Sequence, residues 1–60
     1  MHNEFAAVIY DRMNIIVRVE ERLSAAAAWR AGNFWTKFGG WFKVVEGREE
    51  IDMYKAMINF

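Results

Sequence analysis

The chain has no cysteine, no proline, one histidine, one serine and no formal net charge. Each absence excludes something. Without cysteine there is no disulfide and no thiolate metal site. The lone His2 cannot assemble a zinc site by itself, and its pairing with Glu4 offers no more than adventitious metal contact. Ser24 has no His or Lys placed by sequence to activate it as a nucleophile. Eight basic residues balance eight acidic ones, and the balance holds by segment. Residues 1–32 set four arginines against Glu4, Asp11, Glu20 and Glu21; residues 33–47 set Lys37 and Lys43 against Glu46; residues 48–60 set Arg48 and Lys55 against Glu49, Glu50 and Asp52. A neutral chain lacks the drive for non-specific nucleic-acid binding and has little colloidal repulsion to oppose association. The start MHNEF carries no positively charged n-region, the apolar run Phe5–Tyr10 is too short for a signal h-region, and nothing approaches a membrane span. The expectation is a soluble, cytoplasmic protein.

What is present is apolar. Hydrophobic residues make up 55% and aromatics 17% of the 60 residues, too rich for disorder. A chain of this length forms a single domain, 1–60, and buries only about 60% of its unfolded surface. Small scaffolds offset that shortfall with staples or partners. With disulfides excluded, tight packing or oligomerisation remains.

Five of the ten aromatics fall within NFWTKFGGWFKVVE, residues 33–46. As a helix, this stretch places Phe34, Phe38, Trp41, Phe42 and Val45 on one side, at i, i+4, i+7, i+8 and i+11, with Gly40 and Lys43 opposite. Its two interior glycines cost roughly 2 kcal/mol relative to alanine. As a β-hairpin turning at Gly39-Gly40 it suits the strand propensities of Trp, Phe, Thr and Val, but neither face is cleanly apolar. Helical periodicity matches better.

Upstream, residues 4–31 read as one long helix. Phe5, Ile9, Met13, Ile16, Val19, Leu23 and Ala26 form a seam at 3–4 spacing opposite Glu4, Ala7, Asp11, Asn14, Arg18 and Glu21, a stripe with one apolar residue. Asn3 is a candidate cap and Gly32-Asn33 a candidate stop. A rival reading makes the β-branched run Ile15–Val19 a strand. Ala25–Ala28 combines high helix propensity with low volume, which lets bulky rings approach. Glu20 interrupts the seam, with Arg12 and Arg30 beside it; these read as snorkelling chains or as a register-setting ion pair. Gly47 marks a bend or cap. Beyond it, residues 48–59 form an amphipathic helix, with Ile51, Tyr54 and Ile58 on one stripe and Glu49-Glu50 suited to a first turn.

Together these elements predict an all-α fold: a long N-terminal helix, an aromatic second helix antiparallel to it, and a short C-terminal helix. The alternative is an α+β helix–hairpin–helix. The paired carboxylates Glu20-Glu21 and Glu49-Glu50 diverge on a helix, Gly39-Gly40 lacks a phosphate loop's lysine, and no catalytic, cofactor or metal site is expected. The expected role is a non-enzymatic interaction module that self-associates, as a dimer, or docks on a larger protein. Its core and interface candidates are Phe5, Ile9, Met13, Ile16, Leu23, Phe34, Phe38, Trp41, Phe42, Val45, Tyr54 and Ile58. The alternatives are single-strand nucleic-acid binding by an aromatic/Lys face and membrane-surface association. Neutrality and the few lysines in the block weigh against both.

Overall fold

The computed structural model describes residues 3–58. Its elements run β1 (Phe5–Tyr10), β2 (Ile16–Arg22), α1 (Ala25–Trp35), β3 (Trp41–Glu46) and α2 (Arg48–Ile58). The three strands form one sheet in the order β2-β1-β3, with both neighbours antiparallel to β1. The fold is therefore α+β, and the expected all-α helical hairpin is overturned. The β2–α1–β3 segment crosses over β1, which fills the space between two strands that run in the same direction.

The hairpin that replaces the first half of the expected rod is set by Asp11 and Asn14. Asp11 Oδ1 accepts from the backbone N–H groups of Met13 (2.8 Å) and Ile15 (3.1 Å), while Asn14 N–H donates to Asp11 O (3.0 Å). Asn14 takes a positive φ of 64°, a conformation asparagine tolerates better than most residues. The chain reverses there, and Asp11 N–H donates to Ile15 O across the turn. Strand pairing then runs from Tyr10↔Ile16 to Phe5↔Arg22, with a bulge that leaves Val17 as the extra residue.

Register assigns the faces. One face carries Phe5, Ala7 and Ile9 on β1, Arg18, Glu20 and Arg22 on β2, and Phe42, Val44 and Glu46 on β3. α1 lies on this face: the Trp29 ring meets Phe42 edge-on at 5.0 Å, and the Trp35 ring lies 3.7 Å from the Arg18 guanidinium. The other face carries Ala6, Val8, Tyr10, Val19, Glu21, Lys43 and Val45. There α2 delivers Arg48 and Lys55 to Glu21 and Tyr54 to Lys43. A helix on each side explains why Ala6, Ala7, Val8 and Ile9 are all buried. It also explains why β1 reads as an unbroken apolar run instead of an alternating one.

Small residues set the spacing on the α1 side. Ala28 and Ala31 are buried, and Ala31 packs with Ala7, Ile9 and Phe42. Gly32, expected to stop a helix, lies inside one because the Phe42 ring occupies the space a Cβ would take. Ser24 caps the start, its hydroxyl accepting from Ala27 N–H, and Thr36 closes the end with both its N–H and its hydroxyl on Gly32 O.

The aromatic block is split in three. Phe34 and Trp35 end α1, residues 36–40 form a loop, and Trp41–Glu46 is β3. Its helical periodicity was accidental, and the glycines are backbone requirements. Gly39 and Gly40 have φ of 136° and 85°, and a Cβ on Gly40 would overlap Tyr10 O. The α+β alternative fits in class but not in its hairpin, because Trp41–Val45 pairs with β1 and not with residues 34–38 across Gly39-Gly40. The strand reading of Ile15–Val19 matches β2. Gly47 is a bend: its N–H donates to Glu4 O (2.7 Å) and its carbonyl accepts from Ile51 N–H. Asn3, expected to cap a helix, precedes a strand, and position 59 of the expected C-terminal helix lies outside the described residues.

Gly32→Ala tests the close approach of α1 to β3. Although alanine favours helix, the methyl would displace Phe42, and overpacking of this kind costs about 1–3 kcal/mol. The expected result is a lower urea midpoint; an unchanged or raised midpoint would place the helix farther from the sheet.

Candidate interaction surface

The titratable side chains group into ion-pair clusters that hold the layers. Glu20 accepts from both Arg18 and Arg22 along the edge of β2. Partial burial would by itself raise its pKa, but the two guanidinium hydrogen bonds outweigh that and hold the carboxyl below the ordinary value. Glu21, on the opposite face, accepts from Arg48 (2.6 Å) and Lys55 (2.7 Å), and Arg48 also reaches Asp52 and Asn3 O. The Arg48 and Lys55 hydrogen bonds depress the Glu21 pKa. Neighbouring carboxylates thus point to opposite faces, as strand geometry requires, and each ties down different elements. Glu20 is a strand-edge ion pair and not an interruption of a helical seam. Ser24 is engaged as a helix cap. Among the described residues no three His, Asp or Glu side chains converge; His2 lies outside them.

The larger feature is apolar surface. Of the sequence-derived candidates, Ile9 is buried, and Phe5, Ile16, Phe42, Val45 and Tyr54 are half-buried. Met13, Leu23, Phe34, Phe38, Trp41 and Ile58 are exposed. The structure separates what one helical stripe would have joined. Phe5 and Ile9 face α1, whereas Ile16 and Val45 face α2. Sequence reasoning omitted Ile15, Val17, Trp29, Trp35, Met53 and Met57, which are also exposed. Their signal was available: each is a large apolar residue, set off the helical stripe assumed for its own segment.

The most exposed of these residues gather at one end of the sheet, where the β1–β2 turn and the α1–β3 loop meet. Phe38 is 93% and Met13 79% exposed. Arg12 stitches the loops together by donating to Phe38 O (3.3 Å). Beneath them Trp41 stacks on Tyr10, with ring centroids 4.1 Å apart and planes 4° from parallel, and its indole N–H donates to Asn14 (2.8 Å). An open depression lined by Arg12, Met13, Phe38 and Gly40 lies between the loops. Cations flank the rings: Lys37 lies over Phe34 at 5.2 Å, and Lys43 over Tyr54 at 4.6 Å.

Comparison with protein-family models, with curated proteins and with solved structures finds no match to this chain.

The Glu21 cluster gives a pH test. A depressed carboxylate pKa stabilises the fold above the ordinary glutamate value of about 4.3, and this contribution is lost as pH falls through the depressed folded value. Glu21→Gln should therefore lower the melting temperature at pH 7 relative to the parent, and the two proteins should converge in acid. A gap that persists undiminished at low pH would show that the effect is packing and not charge.

Proposed function

We propose that the chain is a non-enzymatic interaction module that self-associates, with a dimer as its working form. The observation that carries this reading is the imbalance between core and surface. Val8 and Ile51 are the only large side chains that are fully buried among the described residues, whereas twelve large hydrophobic residues remain at least 38% exposed. Fully burying a large apolar side chain contributes about 1.5–3 kcal/mol, and the chain leaves most of that stabilisation unused inside one copy. A 60-residue domain without disulfides has few other sources of stability.

The sheet edges favour a second copy at β3. The β2 edge is guarded by a bulge and by Arg18, Glu20 and Arg22, devices that discourage strand addition. The β3 edge, Trp41–Glu46, pairs with β1 without irregularity and carries only Lys43 and Glu46 as charges. Antiparallel pairing of two β3 strands about Val44 sets Lys43 opposite Val45 and Phe42 opposite Glu46. No like charges face each other in that register, which removes the usual electrostatic penalty. An isologous contact of this kind closes as a two-fold dimer.

Size-exclusion chromatography with light scattering, run over a concentration series, tests the reading. The expected mass is twice the 7.1 kDa of one chain. A single 7.1 kDa species at the highest concentration reached would overturn it.

A further inference from the structure

The chain is neutral and no segment departs far from neutrality, but folding redistributes the charges. Four basic side chains lie level with Val8 or beyond it towards the β1–β2 turn: Arg12, Arg18, Lys37 and Lys43. Two acidic side chains reach that end: Asp11, whose carboxylate is turned inward onto the N–H groups of Met13 and Ile15, and Glu20, whose carboxylate pairs with Arg18. The other four basic residues are outnumbered by the other six acidic ones. Arg18 is shared with Glu20, but Arg12, Lys37 and Lys43 have no carboxylate within ion-pair distance among the described residues. The cationic end is also the end at which Met13, Ile15 and Phe38 project from two adjoining loops.

We propose that this end is a docking surface for an anionic lipid bilayer. Met13, Ile15 and Phe38 enter the boundary between headgroups and acyl chains, and Arg12, Lys37 and Lys43 lie at the level of the lipid phosphates. Apolar tips ringed by cations match that interface, where buried apolar area and attraction to anionic lipid add together. The chemistry of the tip selects lipid over a nucleic-acid strand. Met13 and Ile15 have no π-face for a base, and one face of Trp41 is occupied by Tyr10. Both loops are preorganised, because Asp11, Asn14 and the Arg12–Phe38 hydrogen bond fix the two tips before any contact is made. Lys37 and Lys43 alone make a sparse cationic face; the fold adds Arg12 from elsewhere in the chain.

This surface does not depend on self-association, so the two readings fail separately. The test is co-sedimentation and tryptophan emission of the full chain with three probes: vesicles of phosphatidylcholine alone, vesicles containing phosphatidylglycerol, and a single-stranded oligonucleotide. A vesicle-free sample is spun in parallel to remove self-assembled material from the count. The expected result is binding to the phosphatidylglycerol vesicles with a blue-shifted emission, weakened by added salt, and little binding to pure phosphatidylcholine. Phe38→Ser should weaken binding about tenfold or more, since the lost apolar burial is of that order. Arg12→Gln with Lys37→Gln should weaken it about thirtyfold, at about 1 kcal/mol for each cation. Circular dichroism keeps folding separate from binding: Phe38 is nearly fully exposed, and Lys37→Gln alone provides a second variant that leaves the Arg12 stitch in place. Equal binding to both vesicle types, no binding to either, or unchanged binding by Phe38→Ser would each overturn the proposal. So would a response to the oligonucleotide in the absence of one to vesicles, which would reassign the surface to nucleic acid.

Discussion

The structure depends on the need to cover a narrow sheet on both sides. Three strands give β1 a neighbour at each edge, and two helices then shield its two faces. Every side chain from Ala6 to Ile9 is buried as a result. Close approach is possible because the contacting positions are small. Ala7, Ala28, Ala31 and Gly32 let α1 settle onto the sheet, and Phe42 fills the space over Gly32. A core built from alanines and three large aliphatic side chains, Val8, Ile9 and Ile51, yields limited hydrophobic stabilisation. The ion pairs on Glu20 and Glu21 and the Asp11 turn therefore matter more here than they would in a larger domain.

The same constraint produces the surface. A sheet of this width has no room to bury the nine aromatics and three methionines among the described residues, so bulky residues are displaced to the loops, the helix exteriors and the β3 edge. Apolar surface on this scale is more than scattered exposure explains. The proposed second copy along the sheet edge and the proposed lipid contact at the loop end are both drawn from that surface. Both readings rest on the same shortage of interior volume.

Parts of this were legible in the sequence. The strand propensity of Ile15–Val19 was visible, and Asp11 and Asn14 carried a turn signal that helical periodicity obscured. Periodicity failed for a physical reason. FAAVIY is apolar at every position because both faces of β1 are covered, and a continuous apolar run satisfies a helical template as readily as a strand one. Gly32 misled in the same way: a glycine that ends a helix and one that admits a ring look identical until the ring's position is known. In the candidate surface, Met13, Phe38 and Trp41 were singled out from sequence, but as members of helical stripes and not as neighbours at one end of a sheet.

The sequence by itself determined that these 60 residues hold no disulfide or thiolate site, that they are rich in apolar bulk, and that their charge is balanced. Tertiary structure alone decided which residues are inside and where the charges gather. Strand pairing joins positions far apart in the chain, and the energy that selects it lies in those distant contacts: Phe42 over Gly32, Arg48 on Glu21, Arg12 on Phe38. Local periodicity contains no record of them. A balanced sequence can therefore fold into a molecule with a cationic, apolar end.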